Sequence, residues 1–151
     1  MAGSANSNGA SLPRRVVLGG IFAIAVGTAG GRAHDFRQGA IHVGHPWARP
    51  VDAAAAFGEV YMALVNRGET PDRLIGAASD IARATRIVAE GTEAIDLLPG
   101  RPVALRPCGR HVRLEGLTRP LLAGERFGVT LRFARASSLL VEVAVEDAPG
   151  H

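Results

Sequence analysis

Five histidines, one cysteine and two methionines, one of them Met1, carry whatever metal chemistry this chain can offer. Cys108 stands three residues before His111, in the segment Pro107-Cys108-Gly109 that reads as a turn feeding the histidine. A thiolate and an imidazole are donors that a soft ion such as copper(I) accepts, and a turn there would let the two share one ion in linear geometry. The same cysteine is equally well read as a free thiol with no ligand role. His42 and His45, three apart on an expected strand, face opposite sides of it and read as structural or surface residues. His151 is the terminal residue, and Met62 lies in an apolar run where methionine fills core space. A single cysteine excludes an internal disulfide and any multi-thiolate zinc site.

Those residues sit behind a leader. Residues 1–15 are small and polar and end in Arg14-Arg15; an apolar run follows from Val16 to about Ala29, then Gly31-Arg32-Ala33. A charged start, a short apolar run and small residues at a cleavage point are the parts of a secretory signal. The run is shorter and richer in glycine than the roughly 20 apolar residues of a membrane span. The expectation is a signal peptide over 1–33, a mature domain over 34–151 and a periplasmic location, with membrane contact only through an uncleaved leader. Pro13-Arg14-Arg15-Val16-Val17-Leu18 resembles a twin-arginine signal, although ordinary signals also carry paired arginines. Cleavage after Ala33 would leave His34 at the N-terminus, where its amine and imidazole form a possible chelate for copper; the plainer reading is a frayed terminus.

The basic residues are 17 arginines without a lysine, and three of them lie in the leader. Beyond it arginines and carboxylates are equal in number, so the mature chain has no net charge to attract a polyanion. No basic patch interleaves with aromatics, and nucleic acid is not an expected partner.

The elements that must position the candidate donors read as strands. Ile41 and Val43 alternate ahead of His45-Pro46-Trp47, with Trp47 expected in the core. Phe57 to Val65 is a longer apolar run ending at the turn Asn66-Arg67-Gly68. Short segments centre on Leu74-Ile75, Ile87-Val88, Ile95 to Leu97 and Val103 to Leu105. His111 to Leu117, Phe127 to Phe133 and Leu139 to Val145 complete the series. Eight or nine strands at this spacing, with no helical period, predict an all-β sandwich or barrel.

Three stretches resemble the periplasmic copper(I) chaperones of the PCuAC family. They are His45-Pro46-Trp47-Ala48-Arg49-Pro50; Tyr61 to Gly68 followed by Asp72-Arg73-Leu74-Ile75-Gly76-Ala77; and Leu105 to Leu117 followed by Pro120-Leu121. The resemblance implies a cupredoxin-like Greek-key β-sandwich and a role carrying copper(I) towards the binuclear copper centre of cytochrome oxidase. It also implies a donor set: a histidine before a glutamate, methionines on a nearby hairpin, and a His-x-Met pair. Here Ala89 precedes Glu90, only Gly91-Thr92-Glu93-Ala94 stands where the methionine hairpin would be, and Arg113 follows His111 at the methionine position. Arg113 shares a strand face with His111, which would set a guanidinium against a bound cation.

A methionine-rich site cannot be built from these residues. The expected metal donors are therefore His111 and Cys108, with His34 as an accessory. The expected cargo is copper(I), and the expected partner is the copper-site subunit of cytochrome oxidase or another copper-transfer protein. The alternative is a metal-free β-sandwich that serves as a binding or assembly module. No Ser/His/Asp order and no paired carboxylates stand out, so an enzyme is not expected.

Overall fold

The alternation in Phe57-Gly58-Glu59-Val60-Tyr61-Met62-Ala63-Leu64 sends Val60, Met62 and Leu64 to one face of a strand and Phe57, Glu59 and Tyr61 to the other. The computed structural model, which describes residues 35–147, realises that division: Val60, Met62 and Leu64 lie in the hydrophobic core. All regular elements among the described residues are strands. They are β1 (Phe36–Gln38), β2 (Ile41–Ala48), β3 (Phe57–Asn66), β4 (Asp72–Ala78), β5 (Ala82–Val88), β6 (Ile95–Leu97), β7 (Val103–Leu105), β8 (His111–Leu117), β9 (Arg126–Phe133) and β10 (Leu139–Val145). Nine of these are the strands expected from the sequence; β1 is additional, and it folds back on β2 with Phe36 opposite Val43.

The strands follow the order β5-β8-β3-β2-β10-β9-β4-β6, with β1 beside β2 and β7 beside β3. Strands β3 and β8, β2 and β10, and β4 and β9 are neighbours in space but not in sequence. The chain therefore crosses between edges as in a Greek key. One layer contains β5, β8, β3 and β2, the other β10, β9, β4 and β6. They are joined where β2 runs parallel to β10, with Trp47 opposite Ala144 and Ala48 opposite Val145. Inward side chains such as Val60, Leu64 and Leu114 from one layer and Leu74, Val129 and Val141 from the other make one buried cluster. This is the expected all-β, cupredoxin-like sandwich, nearly closed into a barrel.

Two buried polar side chains tie the connections. Asn66 donates from Nδ2 to the carbonyls of Thr70 (2.8 Å) and Leu97 (2.9 Å) and accepts from the Gly68 amide at 2.9 Å. Gly68 is needed at that turn, because a Cβ there would come within 2.8 Å of the Ala40 Cβ. Asp72 accepts from the amides of Arg73, Arg135 and Ala136 at 2.8–2.9 Å. Burial pushes its carboxyl pKa up, but those amides, with the Arg135 charge, outweigh it and hold the group below the ordinary aspartate value.

Trp47 is buried as expected, at 7% exposure, although outside the main cluster. It lies on the face away from that cluster, where its ring packs on Tyr61 with centroids 4.7 Å apart. The strand is bulged between Gly44 and Trp47, with His45 in the left-handed region at φ 45°. An extra residue at a bulge resets the alternation of side chains, so Trp47 lies on the face opposite Val43.

Candidate metal centre

On the outer face of the first layer, antiparallel pairing sets Glu59 of β3 opposite Arg113 of β8, and Val60 opposite Val112. The outward side chains engage their diagonal rather than their direct neighbours, as sheet geometry permits for long groups. Glu59 reaches His111, Phe57 lies under the Arg113 guanidinium at 4.1 Å, and Glu115 meets Arg86 at 3.3 Å. The same slant produces all three contacts.

His111 is buried on this face, at 9% exposure. Its Nδ1 lies 2.8 Å from the Gly109 carbonyl oxygen. A carbonyl only accepts, so Nδ1 carries the hydrogen and, in the neutral ring, Nε2 presents its lone pair. Nε2 is buried without a hydrogen-bond partner, although Glu59 Oε1 stands 3.3 Å away. The distance is short enough for an ion pair, but the alignment is not that of a hydrogen bond. The other oxygen of Glu59, Oε2, accepts from the Tyr61 hydroxyl at 2.5 Å. Burial first, then that bond and the Glu59 charge, push the Tyr61 phenol pKa up, so the phenol stays protonated and donating. Tyr61 also meets the His111 ring edge-on, with centroids 6.5 Å apart. A histidine whose Nδ1–H is tied to a backbone carbonyl while Nε2 is left open has the orientation of a metal ligand.

The expected donors divide. Cys108 is exposed and adopts φ 63° in a turn where the Arg106 amide donates to the Arg110 carbonyl (2.9 Å) and the Gly109 amide to the Arg106 carbonyl (3.0 Å). Among the described residues, no three His, Cys, Asp or Glu side chains gather into one metal-binding group. His34 and His151 lie outside the described residues. Met62 is in the core at 3% exposure. His42 and His45 do not converge: burial, then Arg67 and Arg37, lower the His42 pKa, while His45 Nε2 stands 3.3 Å from Glu146 Oε2 across the β2 bulge.

The positions that depart from the copper-chaperone pattern are equally definite. Val88 pairs with His111, so Ala89 follows directly beside the histidine. There the chain turns tightly, with Ala89 bridged to Thr92 and Gly91 at φ 64°. Gly91 takes the left-handed backbone without strain, and no hairpin extends from this corner. The diagonal slant carries the Arg113 guanidinium onto the Phe57 ring.

Glu59 and Tyr61 are the members of the centre that sequence reasoning missed. The signal was present: Phe57, Glu59 and Tyr61 alternate on the face opposite Val60, Met62 and Leu64, so an acid and a phenol share one outer face.

Comparison with known proteins agrees with this fold. The family described as LpqE-like, a family of lipoproteins, matches residues 41–145, from the start of β2 to the end of β10. The chain belongs to this PCuAC-type family. A curated relative, "Putative lipoprotein Lxx21020" of Leifsonia xyli subsp. xyli, is 30% identical over an alignment of 123 residues that covers 73% of this chain and 72% of the relative. The copper-bound PCuAC domain of PmoF2 is 32% identical with a TM-score of 0.71, covering 76% of this chain and 99% of that domain. The copper(I) form of DR1885 from Deinococcus radiodurans is 25% identical with a TM-score of 0.57, covering 80% of this chain and 85% of that protein. A lipoprotein family belongs to the exported proteins of the cell envelope. Among the described residues of this member no helix is long and apolar enough to cross a membrane.

Proposed function

We propose that this PCuAC-type protein binds copper(I) as cargo in the periplasm, through His111 and Cys108, and hands it to a copper-accepting protein such as the copper-site subunit of cytochrome oxidase. The observation that carries the reading is the buried Nε2 of His111, which has no hydrogen-bond partner while Nδ1 is anchored on Gly109. Leaving a buried nitrogen unsatisfied costs about 1–3 kcal/mol, and a metal ion bound there offsets that cost. Copper is bound in the PmoF2 domain and copper(I) in DR1885, and the soft donor that methionine would supply is here a thiol on the adjoining turn. A two-donor site on an exposed turn also suits a carrier, since an incoming partner's ligand can displace one donor at a time.

The leader supports export with residues 1–33 removed. If Ala33 is the last residue removed, His34 adds a separate amine and imidazole chelate at the new terminus.

A copper(I) competition titration of the purified protein under reducing conditions tests the reading. One-to-one submicromolar binding, lost in both His111→Ala and Cys108→Ala, is the expected result. No binding in that range would leave the metal-free assembly module, which the lack of a three-donor cluster among the described residues favours.

A further inference from the structure

We infer that the pair His111 and Glu59 forms a second coordination mode of the same centre, one that takes a borderline divalent cation, copper(II) or zinc(II), without the thiol. The inference rests on the copper(I) reading in sharing His111 as a donor, but it replaces the soft partner by an oxygen. Both donors are oriented by groups that do not themselves point at the gap. The Gly109 carbonyl holds Nδ1 at 2.8 Å and the Tyr61 hydroxyl holds Glu59 Oε2 at 2.5 Å. What remains is Nε2 and Oε1, facing each other at 3.3 Å, with Nε2 buried and not hydrogen-bonded.

That separation has a geometric meaning. Nitrogen and oxygen bonded to one tetrahedral ion at roughly 2.0–2.2 Å stand about 3.3–3.5 Å apart. An imidazole and a carboxylate are donors for borderline divalent ions, with copper(II) bound more tightly than zinc(II) in the usual order of affinity. The outer partners complete the pattern in which a ligating histidine and a ligating carboxylate are each held by a further hydrogen bond. No third His, Cys, Asp or Glu among the described residues joins them, so the remaining positions on the ion belong to water or to an incoming ligand. The same fold would thus hold copper in either oxidation state, using sulfur for the reduced ion and oxygen for the oxidised one, around one fixed nitrogen.

The test is calorimetric titration of the purified, metal-free protein with zinc(II) and, separately, copper(II) at neutral pH, alongside the copper(I) competition assay. One equivalent of each divalent ion is expected to bind, copper(II) more tightly. Glu59→Gln should weaken both at least tenfold, His111→Ala should abolish both, and Cys108→Ser should leave zinc(II) affinity within threefold. Copper(I) binding should show the reverse sensitivity, retained in Glu59→Gln and lost in Cys108→Ser, so failure of one mode is told apart from failure of the other. Nitrogen-15 NMR of the wild-type protein gives a readout independent of any variant's folding: zinc(II) should shift the Nε2 resonance of His111 while Nδ1 keeps its hydrogen. Unchanged zinc(II) affinity in Glu59→Gln, or an Nε2 resonance indifferent to zinc(II), would overturn the inference and leave an ion pair only.

Discussion

Two histidine–glutamate pairs in this molecule look alike and are built differently. His111 with Glu59, and His45 with Glu146, each place Nε2 3.3 Å from a carboxylate oxygen, and in each the nitrogen is buried without a hydrogen bond. The His111 side chain is 11% exposed, and the His45 side chain is 38% exposed. At His111 both partners are held from behind, by Gly109 and by Tyr61. His45 instead sits on left-handed backbone at a bulge, where its position follows from the bend of β2. Equal distances therefore do not make equal sites. What sets the β3–β8 pair apart is that both facing atoms are held from behind, which would lower the cost of ordering them around the proposed ion.

The largest test of that contrast removes each histidine in turn. His111→Ala should cost more than ~100-fold in copper(I) affinity, beyond the ~10–100-fold typical of an outer-shell partner, while His45→Ala should leave the titration unchanged.

A second experiment separates the centre's response to acid from that of the fold. Asp72 has a depressed folded pKa, so its contribution to stability is fully present above the unfolded value of about 3.9 and is lost as pH falls through the lower folded value. Asp72→Asn should destabilise the protein at pH 7 by about 2–3 kcal/mol, the scale of hydrogen bonds to a charged group. It should also flatten the loss of stability below pH 4 in urea melts. Metal release seen well above pH 4 then belongs to the centre and not to unfolding of the β4 region.

Smaller still is Tyr61→Phe, which removes only the hydroxyl that orients Glu59. Zinc(II) affinity should fall ~10-fold, in the range for an outer partner, with copper(I) affinity little changed. The smallest effect belongs to the control region: His45→Gly should gain about 0.5–1 kcal/mol by relieving left-handed backbone, read as a higher denaturation midpoint with unaltered metal binding.

The comparison also shows what could be read from residues alone. Short apolar segments between turns located the strands β2 to β10, and the apolar run of β3 placed Met62 inside, because buried strands concentrate apolar residues. Strand β1 left no such trace: three residues closed on β2 by Gly39-Ala40, with Gly39 at φ 58°, carry too little pattern. His111 and the loss of donors at Ala89 and Arg113 were legible from the family resemblance. The partnership of His111 with Glu59 was not, since face is written in each strand while register between strands distant in sequence is not. The stacking of Arg113 on Phe57 was unreadable for the same reason, because the slant of β8 across β3 carries side chains to diagonal neighbours.

One further consequence follows from the turn that carries Cys108. Its thiol projects from the surface, and no second cysteine exists in the chain to pair with it. Oxidation can therefore join it only to a thiol from another molecule. Two copies linked in this way would each lose the sulfur donor while keeping His111 and Glu59, so air-exposed preparations should contain a covalent dimer that has surrendered its grip on the reduced ion.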